Sequence, residues 1–89
     1  MQIVSDSKKV LNEIYGLLDD NSYTLVIKVP MDTVAKKLNM SKEHLNLCIH
    51  YLILSEYMTG DFVFNPQENS SKEIIFTAKG IEKVENSTL

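Results

Sequence analysis

Polar and apolar positions alternate along this chain with periods that change from segment to segment. From Ser7 to Leu18, the residues Val10, Leu11, Ile14, Leu17 and Leu18 recur at spacings of three and four, which predicts a helix with one buried stripe. Ser5, Asp6 or Ser7 is expected to cap it, and the run Asp19, Asp20, Asn21, Ser22 ends it in a turn. Tyr23 to Val29 is dense in β-branched and aromatic residues and stops at Pro30, which predicts a short edge strand. Met31 to Leu38 returns to helical spacing through Val34, Ala35 and Leu38, with Asp32 in the first turn where the helix dipole favours an anion. Asn39 suits the left-handed exit of that helix, and Ser41 can cap a third one that runs to about Leu54 through Leu45, Cys48, Ile49 and Leu52.

The remainder reads as a hairpin and a short helix. Gly60 and Asp61 are expected to turn the chain, Phe62 to Phe64 to form one strand, Asn65 to Ser71 a polar loop and Glu73 to Phe76 the return strand. Thr77 can cap a terminal helix with Ile81 and Val84 on its apolar side, and Asn86 to Leu89 should fray.

Within 31–54, a small Ala35, a turn at Asn39 and an apolar Leu45 ten residues after the Ala have helix-turn-helix spacing, with Val34, Leu38, Met40 and Cys48 filling inward positions. On these residues the chain resembles the winged helix-turn-helix superfamily of bacterial regulators. The corner from Ile75 through Phe76, Thr77, Ala78 and Lys79 to Gly80 is similar to one in MarR-like and PadR-like proteins, and the length and layout resemble the small YjcQ-like family. Two positions depart from the pattern: Asn39 replaces the usual turn glycine, and Glu56 stands where a glycine often precedes the wing. The resemblance implies an α+β fold in the order helix, strand, helix, helix, hairpin wing, short helix. It makes residues 1–89 a single domain, with the helix-turn-helix at about 31–54 and the wing at about 59–77.

That family resemblance further implies duplex DNA as partner, a third helix in the major groove, a homodimer and a role as transcriptional or mobile-element regulator. It nominates Ser41, Lys42, His44 and Asn46 for base edges, and Lys36, Lys37 and Lys72 for phosphates. Charge changes this picture. The 89 residues carry nine Lys, no Arg and twelve Asp plus Glu, for a net charge of -3. Without Arg there is no planar fork for guanine or phosphate. Between Lys28 and His50, four Lys against Asp32 and Glu43 leave a local +2, whereas Asp61, Glu68 and Glu73 against Lys72 leave -2 across the wing.

Helix 3 adds a second difficulty. Opposite Leu45 and Ile49 lie Glu43, Leu47, His50 and Leu54, with Tyr51 beside them and Ile53 at the edge, which is too apolar for a face turned to water. The alternative expectation is therefore a winged helix that binds protein and not DNA, through Leu47, Tyr51 and Leu54.

Chemical signatures are sparse. His44 and His50 are six residues apart and cannot share a metal at the i, i+4 spacing of zinc helices, so no metal or other cofactor is expected. Cys48 faces the Leu45 and Ile49 side as a small hydrophobe, and as a single thiol it fits a reducing, cytoplasmic setting. Asp19 and Asp20 diverge on a turn with no accompanying base or nucleophile. No phosphate-binding glycine loop occurs, so an enzyme, a small-molecule ligand and a membrane partner are not expected, the last because no apolar run reaches spanning length.

Overall fold

A computed structural model of the chain describes residues 2–61, 63–65, 67 and 70–86. The elements follow in the order α1 (Ile3–Tyr15), β1 (Val26–Pro30), α2 (Met31–Lys37), α3 (Lys42–Leu54), β2 (Met58–Gly60), β3 (Ser71–Phe76) and α4 (Ala78–Asn86). The result is an α+β domain of four helices and one antiparallel sheet in the strand order β1-β3-β2.

Helix α1 begins four residues earlier than its apolar pattern predicts. Gln2 precedes it without a side-chain cap, and the expected caps Ser5, Asp6 and Ser7 lie inside it. The reason is that Ser7 occupies a position on the buried stripe, in register with Val10, Leu11 and Ile14, so the inward face starts on a polar residue. The helix also stops sooner. Gly16 follows Tyr15, the amides of Leu17 and Leu18 bond three residues back to Ile14 and Tyr15, and Leu17 is exposed.

Helices α2 and α3 are joined by a turn in which Asn39 takes φ 56, the left-handed region that an asparagine tolerates. The Ser41 hydroxyl then accepts the His44 amide at 3.0 Å and caps α3. Glu56, after α3, has φ 68 and turns the chain into β2. Where β3 leaves the sheet, the Thr77 hydroxyl accepts the Gly80 amide at 3.0 Å and donates to the Glu56 carbonyl at 2.7 Å. One side chain thus caps α4 and ties it to the exit of α3.

The sheet differs from its sequence pattern in two places. Gly60 does not turn the chain; it is the last residue of β2 and pairs with Ile74, while Met58 pairs with Phe76. The strand expected at Phe62 to Phe64 is not formed at Val63 and Phe64, and Phe62 lies outside the described residues, as do Glu68 of the loop and residues 87–89. Burial explains the shift, because Met58 is fully buried and fixes which residue of this strand faces the core. Strand β3 starts at Ser71, and β1 pairs with it from Val26↔Ile75 to Pro30↔Ser71. Tyr23 stays outside the sheet and is 95% exposed.

The core lies between the buried sheet face and the helices. Ile27, Val29, Ile74, Phe76 and Met58 meet Val10 and Ile14 of α1, Met31 and Val34 of α2, and Leu45, Cys48 and Ile49 of α3. Tyr15 packs edge-on against Phe76 with ring centroids 6.1 Å apart. The β1 edge of the sheet is blunted. Hydrogen bonds from Phe76 to Leu25 and from Met31 to Ser70 show that Leu25, Ile27, Val29 and Met31 turn their backbone groups towards β3. Of the three residues facing the open edge, Val26 gives its amide to the Thr24 hydroxyl at 3.3 Å, and Pro30 has none to give. Lys28 alone offers a backbone donor there, so addition of a further strand at the β1 edge is disfavoured.

Candidate interaction surface

The outward side of α3 is built by the same spacing that packs its inward side. Leu45, Cys48, Ile49 and Leu52 are buried, which leaves Glu43, Leu47, His50 and Leu54 turned away from the core. Leu54 is 68% exposed, and Leu47, His50 and Tyr51 are half-buried. The first turn of α1 extends this surface: Ile3 and Val4 line one shallow apolar groove with Leu47, His50, Tyr51 and Leu54. Val4 is 57% exposed.

The residues nominated for DNA lie in varied settings, and several are already engaged within the chain. Ser41 uses its hydroxyl as the α3 cap. His44 turns towards α1, where its Nε2 lies 2.8 Å from an Asp6 carboxylate oxygen. Lys42 pairs with Asp32 at 3.0 Å and Lys37 with Glu13 at 2.7 Å. Asn46 is half-buried, with its side-chain oxygen shielded from solvent. Lys36 is exposed on α2. The ion pairs are near the surface and each contributes only about 0–1 kcal/mol, so a phosphate could displace them.

Lys72 is a different case, because it is 7% exposed. Its ammonium donates to the Val63 carbonyl at 3.2 Å and lies 6.0 Å from the centre of the Phe64 ring. The period of two in β3 places Lys72 on the same face as Ile74 and Phe76, a signal available in the sequence. Burial lowers its pKa from the ordinary lysine value, and the Asp61 carboxylate partly opposes this. A lowered pKa means that the unfolded chain binds this proton more tightly, so Lys72 raises stability as pH climbs from its folded pKa to its unfolded one. Lys72→Met should therefore keep the fold, and its stability relative to the parent should be highest at neutral pH and fall in alkaline solution. Urea unfolding at neutral and alkaline pH measures this, and a stability difference independent of pH contradicts it.

Asp6, His44, Cys48 and Ser7 form a cluster between α1 and α3. The His44 Nε2 is 3.8 Å from the Cys48 sulfur as well as 2.8 Å from Asp6. Cys48 is fully buried, and burial pushes its thiol pKa up; the Ser7 hydroxyl lowers it and Asp6 raises it, both by less. The sulfur is thus neither reachable nor activated, and the cluster serves to fasten α1 to α3. Sequence reasoning missed it because the pair that closes it is 38 residues apart. Among the described residues no group of three or more His, Cys, Asp or Glu is placed to hold a metal ion, and no helix is long and apolar enough to cross a membrane.

Comparison with known proteins returns no family model, no curated protein and no solved structure that matches the chain.

Proposed function

We propose that the chain is a winged-helix domain that works as a protein-interaction module, with a second copy of itself docked on the outer face of α3 and the first turn of α1. The winged-helix reading is supported by the element order and by two helices joined at a left-handed Asn39, followed by antiparallel strands that share a sheet with β1. The interaction reading is carried by one observation. The outward side of α3 presents Leu47, His50 and Leu54 beside Glu43, and the single lysine of that helix is turned to Asp32 on α2.

A helix in the major groove faces a dense row of phosphates, and each cation it brings releases a counterion. Leucines and a glutamate release none. A two-fold contact has the opposite requirement, because it sets a patch against itself and penalises any like charge. The strip of Ile3, Val4, Leu47, His50, Tyr51 and Leu54 holds no lysine and no carboxylate in a chain whose net charge is -3. It is therefore suited to self-pairing.

The helix pair and the exposed Lys36 favour a second reading, weak electrostatic binding of DNA, and one titration separates the two. At about 50 mM salt, mixed-sequence duplex should leave fluorescence anisotropy unchanged if the α3 face docks protein. A saturable rise that weakens with salt and disappears in a Lys36→Ala, Lys37→Ala, Lys42→Ala variant contradicts the protein reading.

A further inference from the structure

A second concave surface lies where α1, the end of α3, Tyr57 and α4 meet; it adjoins the α3 face, sharing Val4, Tyr51 and Ser55 with it, and differs in adding two lysines and the buried Leu11 and Leu52. We propose that this cleft binds a small amphipathic carboxylate, an acid carrying one aromatic ring or a short acyl chain.

Size, floor and mouth each contribute to this assignment. The cleft has a volume of about 390 Å³, inside the range of roughly 300–1,000 Å³ usual for small-molecule sites. Leu11 and Leu52 give it an apolar floor, the place for a ring or an acyl chain. Lys8 of α1 and Lys83 of α4 stand on its wall, both exposed. No carboxylate is among its described lining residues, although acids outnumber lysines twelve to nine in the chain. Neither lysine has an ion pair among the described residues, whereas Lys9, Lys37 and Lys42 each do. Glu85, two residues after Lys83, accepts the Tyr15 hydroxyl at 2.6 Å.

Polar groups between floor and mouth suit a carboxylate as well. Asn12 brings an amide to the lining. Ser7 also lines the cleft, but its hydroxyl oxygen is shut off from solvent beside the buried Cys48 thiol, so Ser7 closes the wall and does not contact the ligand. Two cations above an apolar floor select against a neutral alcohol, which gains only the floor, and against an amine, which the lysines repel. Inorganic phosphate alone leaves the floor unused.

The test uses the full chain labelled for NMR and four probes: benzoate, hexanoate, benzyl alcohol and benzylamine. Benzoate and hexanoate should give saturable shifts of the Leu11 and Leu52 methyl groups and of the amides of Ser7, Lys8 and Lys83, with benzyl alcohol weaker and benzylamine weakest. Lys8→Ala with Lys83→Ala removes two exposed charges and should leave the spectrum folded. That variant should weaken benzoate by about tenfold while leaving benzyl alcohol unchanged, as expected for two partly screened charge contacts. Absence of saturation by about 10 mM benzoate, well above the millimolar scale of weak ligands, overturns the proposal. So does an equal response to benzoate and benzylamine, or a response confined to Leu47 and Leu54.

Discussion

Leu54→Lys should abolish the proposed pairing through α3 and leave a monomer that is still folded. The side chain is 68% exposed in the single chain, so a lysine there remains solvated and costs the monomer little. In a two-fold contact the same ammonium enters an apolar strip twice, once from each copy, with Glu43 the only acid on that side of α3. Burying an unpaired charge costs several kcal/mol, and even about 3 kcal/mol corresponds to more than a hundredfold in the dimer constant. Leu47→Lys should act in the same direction with some loss of monomer stability, because Leu47 is half-buried. Sedimentation velocity on both variants, with circular dichroism to monitor the fold, measures the effect. Stronger DNA binding with unchanged association would instead place these residues against phosphates.

Gly80→Ala should destabilise the domain, against the ordinary preference of a helix. In an open helix the exchange gains about 1 kcal/mol, since alanine is the better helix former. Here α4 passes so close to the exit of α3 that an added Cβ would fall on the Tyr57 carbonyl oxygen, 2.9 Å from the Tyr57 carbonyl carbon and 3.0 Å from the Phe76 ring. Those backbone atoms cannot rotate away, and the Tyr57 carbonyl also accepts the Thr77 amide at 3.3 Å. Overpacking of this kind costs typically about 1–3 kcal/mol and more where backbone must move. A net loss of about 2–3 kcal/mol should lower Tm by roughly 10–20 °C in a domain of this size. An unchanged or raised Tm would mean that α4 is not seated against Tyr57 as described.

The elements that could be read from the sequence are those in which a cap and an apolar stripe agree. Helix α3 has both, Ser41 before it and Leu45, Cys48, Ile49 and Leu52 along it, and its bounds come out as expected. Thr77 and the left-handed Asn39 were legible for the same local reason. Helix α1 was misplaced because a polar residue, Ser7, sits on its buried stripe, where hydrophobicity alone cannot register it. Strand β2 was misplaced because its single buried residue is Met58, and one inward residue makes no period. The apolar outer face of α3 was legible from spacing, whereas the engagements of His44 with Asp6, Lys37 with Glu13 and Lys42 with Asp32 depend on how helices cross. The mixed cleft at α4 was not legible either, since its lysines come from residues 8 and 83 and meet only in the folded chain.

The proposed docking of α3 on a second copy is tested most directly on the unmodified protein. An equal mixture of isotope-labelled and unlabelled chains at high micromolar concentration allows magnetisation transfer between copies to be read at methyl groups. The expected result is intermolecular transfer to the methyls of Val4, Leu47 and Leu54, together with a sedimentation coefficient that rises with concentration. Transfer absent from these three residues, with a sedimentation coefficient that stays monomeric throughout, would contradict it.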